Sequence, residues 1–536
     1  MIGILLLLSA ILLIVYAFYK WATLNNDYFE RQNLKYMKPT FLVGNTGGAF
    51  ANKYTPAEFL DMIFQAFPDE RIFGFFDFRA PKFAIRDPEL VKEIAITSFD
   101  NFQDHEGVVD EHIDKLWGNS LLLMRGEKWR NMRATLSPVF TGSKMRQMFD
   151  LNSECIDNVV RHLLQKAEKG EKIDIEMKDF FTRYTNDVIA SCAYGIKVNS
   201  FEEPNNEFYK NGLEMFDFTS IRKIIKILII MQLPAVARAL KIPVVDANVA
   251  KIFRDIISDT MEVRKKNNIY RPYMINMLMQ IREGTLTHQT GKGKEKDKGK
   301  EGFATVEESD IGKLSVNRSL NDDEIVAQCF IFFLAGFDTT STTLTFASYE
   351  LSVNPDVQSK LYKEIAETNE KLAGKRVTYD ILQKMPYMDQ VISETLRKWP
   401  PLPVMDRLCV KDYDYNDGNG LKFKIEKGTA VLIAIYGFHH DPKYFFDPEK
   451  FDPERFSEEN KHNIQPGTYL AFGIEPRNCI GSRFALMEIK AILYYLLLDF
   501  SFEPNEKSQI PLKLKKSSFN MRAEKGVHLE LKPRKK

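Results

Sequence analysis

The sequence predicts a mainly α protein with a small β region, preceded by a transmembrane helix. Three observations carry this. Residues Met1 to Tyr19 contain no charged side chain, about the length that crosses a hydrocarbon core of ~30 Å as a helix. Downstream, long stretches place apolar residues at helical spacing, and two runs, Ile325 to Leu334 and Phe484 to Leu498, are apolar on nearly every face. Strand-like segments are short and gather around residues 72–86 and 407–434.

The chain has 536 residues, but few Gly/Pro/Ser-rich linkers divide it, which favours one large domain. The expected organisation is an anchor helix over 1–20, a hinge or linker over 21–50 and a single folded domain over 51–536. At 44% hydrophobic residues a sizeable core is affordable, and a formal charge of +1 gives no global pull toward nucleic acid. The five cysteines, Cys155, Cys192, Cys329, Cys409 and Cys479, are far apart and lack zinc-site spacing. They indicate a reducing, cytosol-facing compartment, the first four serving as small buried hydrophobes.

At the N-terminus, Lys20 and Trp21 supply an interfacial anchor, and Lys20, Arg31, Lys35 and Lys38 bias the body of the protein to the cytoplasmic side. A cleaved signal peptide is the competing reading, though neither a basic n-region nor a small-residue cleavage site is present, and no Arg/Ser-rich presequence is visible. Ile72 to Phe78 and Lys82 to Arg86 read as strands, and Asp87-Pro88 opens a helix. Gly126 to Ser137 reads as a helix stopped at Pro138, with Trp129 and Arg133 at i and i+4 on one face.

Ile221 to Pro234 is either a core helix or a segment that dips into the bilayer interface. The run 291–302, rich in Gly, Lys and Glu, has no large apolar side chain and is expected to be a disordered insert. The clearest helix follows. Asn321 is a good N-cap with Glu324 at N3, and Asn354-Pro355 ends the element. In its middle, Ala335-Gly336-Phe337-Asp338-Thr339-Thr340 breaks local consistency: a helical glycine costs ~1 kcal/mol, and a buried aspartate needs hydrogen bonds. Such a break marks a functional site.

Pro386 to Lys398 reads as a helix with Glu394 and Arg397 at i and i+3, a spacing that by itself means only an ordinary ion pair. A meander of short strands follows, and His439-His440-Asp441-Pro442 reads as a loop, since no third metal ligand accompanies it. Pro453-Glu454-Arg455-Phe456 is polar and irregular. Last comes Phe472-Gly473-Ile474-Glu475-Pro476-Arg477-Asn478-Cys479-Ile480-Gly481, a cysteine in a Gly- and Pro-shaped loop just ahead of a buried helix. That arrangement suits a haem iron whose axial ligand is a thiolate.

In this order the motifs resemble those of the cytochromes P-450, over essentially the whole chain. Phe472, Gly473, Arg477, Cys479 and Gly481 match the haem-loop signature; Ala335, Gly336, Asp338 and Thr339 the oxygen-binding helix; Glu394 and Arg397 the Glu-x-x-Arg motif, with Pro453 to Phe456 its partner. Trp129 and Arg133 match a haem-binding helix. The anchor, residues 301–309 and residues 481–488 are most similar to insect microsomal members thought to oxidise foreign lipophiles.

The resemblance implies haem b between the Asp338 helix and the helix after Cys479, with Cys479 as the axial thiolate. Asp338 and Thr339 would relay protons; Trp129, Arg133, Arg407 and Arg477 would hold the haem propionates; Glu394, Arg397 and Arg455 would form a buried structural network. It also implies NADPH electrons arriving through a flavoprotein reductase, possible help from cytochrome b5, an endoplasmic reticulum membrane location, lipophilic small-molecule substrates and no nucleic acid. Lys128 and Arg130 could offer an acidic reductase a basic landing face, or be solvated surface charge. The implied substrate pocket lies near the residue 102–125 loop, Phe332 and Phe333, and Pro401 to Asp406. An isomerase, a dehydratase or a lipophile-binding protein is the alternative within the haem-thiolate class, and an endogenous hormone or lipid precursor the alternative substrate. One residue departs from the pattern: Glu475 stands where the family has glycine. If that glycine serves a positive φ, a β-carbon there costs ~1–2 kcal/mol, and Glu475 is expected to weaken haem retention or reductase coupling.

Overall fold

The computed structural model describes residues 2–107, 109–216, 220–267, 274–284, 302–314, 319–516 and 521–534. The expected insert at 291–302 lies outside these residues except for Gly302.

Among the described residues helices dominate, and three small sheets flank them. In the first sheet the strand order is β1 (Ile72–Asp77), β2 (Ala80–Ile85), β7 (Ala430–Ile433), β4 (Met405–Leu408). β1 and β2 are an antiparallel hairpin pairing Ile72 with Ile85. β2 then runs parallel to β7, with Phe83 opposite Val431, and β4 pairs antiparallel with β7, setting Arg407 opposite Val431. A bridge between Asp104 and Leu408 draws the segment after residue 100 onto the outer edge of β4. The other sheets are β3 (Asp174–Glu176), β9 (His528–Pro533), β8 (Phe500–Pro504) and the pair β5 (Tyr413–Asn416) with β6 (Lys422–Ile425).

The N-terminal helix, Ile2–Ala22, buries only Ala22 and is long and apolar enough to cross a membrane. At its end Arg79 lies over the Trp21 ring at 3.5 Å. Tyr28 and Phe29 already belong to the core around the first sheet. The helix Ile221–Gln232 buries Ile230 while Ile225 is exposed, so it has both an inner and an outer side.

The long helix Asp322–Val353 is the axis of the main core. It starts with the capping box expected from Asn321 and Glu324, each side chain bonding the other's backbone N–H. Gly336 answers a packing need: a β-carbon there would lie 2.4 Å from Ile189 Cδ1 on the crossing helix Met177–Ile189. Helices Pro386–Lys398 and Ser482–Asp499 pack into the same core. Cys155, Cys192, Cys329 and Cys409 are buried free thiols. His439 and His440 end a short helix, Ile435–His440, rather than lying in a loop.

The cysteine loop and the Asp338 helix

The loop that carries Cys479 is built on one glycine. Gly473 takes φ +76°, a conformation that costs other residues a β-carbon clash. The turn lets Cys479 N–H donate to Phe472 O at 2.9 Å. The Cys479 side chain is exposed although protein surrounds it, so it opens onto an interior space and not onto the outer surface. Burial raises its thiol pKa, and a bond from the Gly481 N–H opposes the shift. Phe140 lies against Gly481 and, edge to face, against Phe332 of the long helix at 5.4 Å. Ala335, one turn further along that helix, is also exposed.

Glu475 is not among the described residues with positive φ, so the strain anticipated for a β-carbon there does not arise. Its carboxyl is pushed up by burial, and Glu307, Asp310 and Glu308 add to the shift against Lys313. Glu475→Gly is therefore expected to leave stability within about 0.5 kcal/mol of the parent, with unchanged haem occupancy, as urea unfolding and haem absorbance per protein would read.

Three arginines converge near the loop. Arg477 lies over the Trp129 ring at 3.9 Å. It donates to the carbonyls of Gln103 and Met124, both at 2.8 Å, with Asp104 at 3.5 Å. Burial, and then the charges of Arg407 and Arg133, set its pKa against Asp104 and Asp406, with a net fall well below the arginine norm. Arg133 bonds Glu308 and Asn478. Arg407, 1% exposed, donates to Asp406 O and Ile474 O and leaves a buried Nε without a partner. Burial brings its pKa down to about 10.

Desolvated positive charge with an unanswered donor suits a ligand bearing carboxylates. An accessible cysteine sulfur nearby suits its metal. Together these fit the propionates and iron of a haem. Among the described residues there is no cluster of three or more His, Cys, Asp or Glu that offers a different metal site.

On the long helix, Thr339 Oγ1 donates to Ala335 O at 2.5 Å, leaving the hydroxyl oxygen free to accept. Asp338 faces the crossing helix. Lys178 Nζ bonds its carboxylate at 2.9 Å, and Arg522 lies at 3.6 Å. Lys178 also reaches Asp338 O, Ser341 Oγ and Thr342 Oγ1. Burial alone would raise the Asp338 pKa; Lys178 and then Arg522 outweigh it and hold it below the ordinary carboxylate value. Neither cation is visible as a partner in the sequence, because Lys178 belongs to an amphipathic helix and Arg522 to a C-terminal loop.

The structure also brings Glu394, Arg397 and Arg455 together. Glu394 and Arg397 form a two-pronged ion pair at 2.6 and 2.9 Å, with both side chains at 0% exposure. Glu394 accepts from Asp452 N–H and lies 3.4 Å from Arg455 Nε. Arg397 donates to the carbonyls of His439 and Pro448, and Arg455 to those of Asp447 and Phe446. His439, which sequence reasoning passed over, completes the set. Its Nδ1 faces Arg397 O and its Nε2 accepts from Leu470 N–H, two residues before Phe472. Burial, with the His440 and Arg397 charges, keeps it neutral. Lys128 and Arg130 are paired with Glu111 and Asp100.

Comparison with known proteins agrees with this geometry. A family profile described as cytochrome P-450 matches residues 36–529. The chain is 42% identical over 521 residues to probable cytochrome P-450 9f2 of Drosophila melanogaster, covering 96% of each. It is 40% identical over 540 residues to cytochrome P-450 9e2 of Blattella germanica, covering 98% of this chain and 97% of that one. With cytochrome P-450 6k1 of the same cockroach the identity is 34% over 527 residues, covering 98% and 96%. A cysteine-bearing loop, an acid-bearing core helix and near full-length likeness lead to one conclusion: the chain belongs to the cytochrome P-450 family and is a haem monooxygenase.

Proposed function

We propose that this protein inserts one atom of O2 into lipophilic small molecules, including xenobiotics such as plant toxins or insecticides. It would use NADPH electrons from a flavoprotein reductase, with cytochrome b5 as a second donor. The apolar Ile2–Ala22 helix supports an endoplasmic reticulum anchor with the catalytic domain on the cytoplasmic side.

The observation that carries the reading is the pair Asp338 and Thr339, polar groups set in the middle of a helix whose neighbouring residues are mostly buried and apolar. When bound, a thiolate-ligated haem supplies activation of oxygen. The protein's own residues do the rest. Cys479 would hold the iron, while Arg407, Arg477 and Trp129 would fix the propionate edge. Thr339 would offer its hydroxyl oxygen as acceptor at the oxygen side, and Asp338 would carry protons inward from the Lys178 and Arg522 side. Because Lys178 keeps its bonds to Ser341 and Thr342, the Asp338 carboxylate can turn without stranding the ammonium.

Reconstitution of the full chain with reductase, NADPH and O2 tests this against a panel of lipophiles. Product carrying one atom of labelled oxygen is expected. Absence of product from a broad panel would overturn the reading, and turnover without oxygen would replace it with an isomerase or dehydratase.

A further inference from the structure

Residues 302–314 return to the cysteine loop from the other side of the chain's charged run. Phe303 packs against Phe456 and Tyr469 with ring centres 5.0 and 5.2 Å away, and its N–H donates to Asp389 Oδ2 at 2.7 Å. Ala304 and Ser309 are buried. Between them the segment presents Glu308 to Arg133. Two nitrogens of the guanidinium, Nε and Nη2, meet the carboxylate at 2.9–3.0 Å.

The far side of Arg133 grips Asn478. Nη1 donates to Asn478 O at 2.7 Å and Nη2 to Asn478 Oδ1 at 2.9 Å, while Asn478 Nδ2 donates to Glu307 O at 2.9 Å. Asn478 O belongs to the peptide bond that leads into Cys479. The N–H of the same peptide is held by Phe472 O. The plane that aims the sulfur is thus fixed at both edges, one by the loop itself and one by Arg133. A guanidinium has five N–H donors, and Glu308 with Asn478 takes all but one of those on Arg133. One donor of Arg133 remains for a further partner.

We propose that Glu308 is a positioning residue for the cysteine ligand: by fixing Arg133 on Asn478 it sets the peptide that presents Cys479 to iron. The proposal rests on the haem-thiolate reading. Without Glu308 the guanidinium can turn away, and the Asn478–Cys479 peptide loses one of its two holds. Side-chain hydrogen bonds to charged groups are the stronger class, so a measurable loosening of ligation follows.

The test uses the reduced full-length holoprotein under carbon monoxide, whose absorbance separates thiolate-ligated from thiol-ligated haem, together with the rate of haem transfer to apomyoglobin. Glu308→Ala is expected to convert to the thiol-ligated form and lose haem about tenfold faster than the parent. Glu308→Gln, which keeps shape and one acceptor, should fall between them, and Glu307→Gln should match the parent because only its backbone carbonyl takes part. A Glu308→Ala protein with parental ligation and haem-transfer rates would overturn the proposal. So would one whose urea midpoint drops while its thiolate fraction stays parental, which would make Glu308 merely structural. A parent without the thiolate-type band would sink the haem-thiolate reading as well, so the two failures are distinguishable.

Discussion

Arg397→Ala is expected to yield a chain that holds little or no haem and unfolds at much lower urea than the parent. Arg397 and Glu394 are wholly buried and answer each other through two bonds. Removing one partner of such a pair costs ~3–5 kcal/mol, a large part of the ~5–15 kcal/mol that holds a typical domain together. The damage also spreads along backbone groups. The carbonyls of His439 and Pro448 lose a donor, and His439 is the residue that holds Leu470 at the start of the cysteine loop. Removing both charges with apolar residues is not expected to rescue the fold, because Asp452 N–H and those carbonyls would remain unanswered. Haem absorbance per protein and the urea midpoint report the outcome; a parental midpoint for Arg397→Ala would show that the pair contributes nothing.

Asp338→Asn is expected to lower turnover by about 10²-fold, within the range of a lost proton-transfer group, with substrate binding little changed. The companion variant Lys178→Met carries the pH argument. In the parent, Asp338 has a folded-state pKa below its ordinary value of 3.8. Its ion-pair contribution is therefore complete above that ordinary value and lost only as pH falls through the lower folded one. Lys178→Met deletes the strongest lowering influence, leaving burial to raise the carboxyl pKa against Arg522 alone. The acid limb of the kcat profile should move toward neutral pH in Lys178→Met and stay at lower pH in the parent. Superimposable limbs would exclude Asp338 as the titrating group.

The parts of this structure that sequence exposes are those whose cause is local. The Asn321 capping box, the all-round apolar character of Ile325 to Leu334 and the Pro386–Lys398 helix each depend on neighbours within a few residues. The cysteine loop was legible because glycine and the cysteine lie in one short run. What escaped is non-local. The parallel pairing of β2 with β7 joins residues about 350 positions apart. Lys178 meets Asp338 across 160 positions, and Arg477 reaches back to Gln103 across 374. Before folding, Lys178 and Glu308 are indistinguishable from ordinary solvated charges. Glu475 shows the converse limit, since a family glycine suggested positive φ and the backbone places it instead at Gly473.

The seat of Phe303 also fixes the spacing of the residues that follow it. A β-carbon on Gly302 would fall 1.6 Å from Asp389 Oδ1, and the next residue is moored by two aromatic rings and a backbone bond. A single insertion between Phe303 and Glu308 would slide the carboxylate off Arg133. Over evolutionary time the few residues from Phe303 to Glu308 must therefore keep their count.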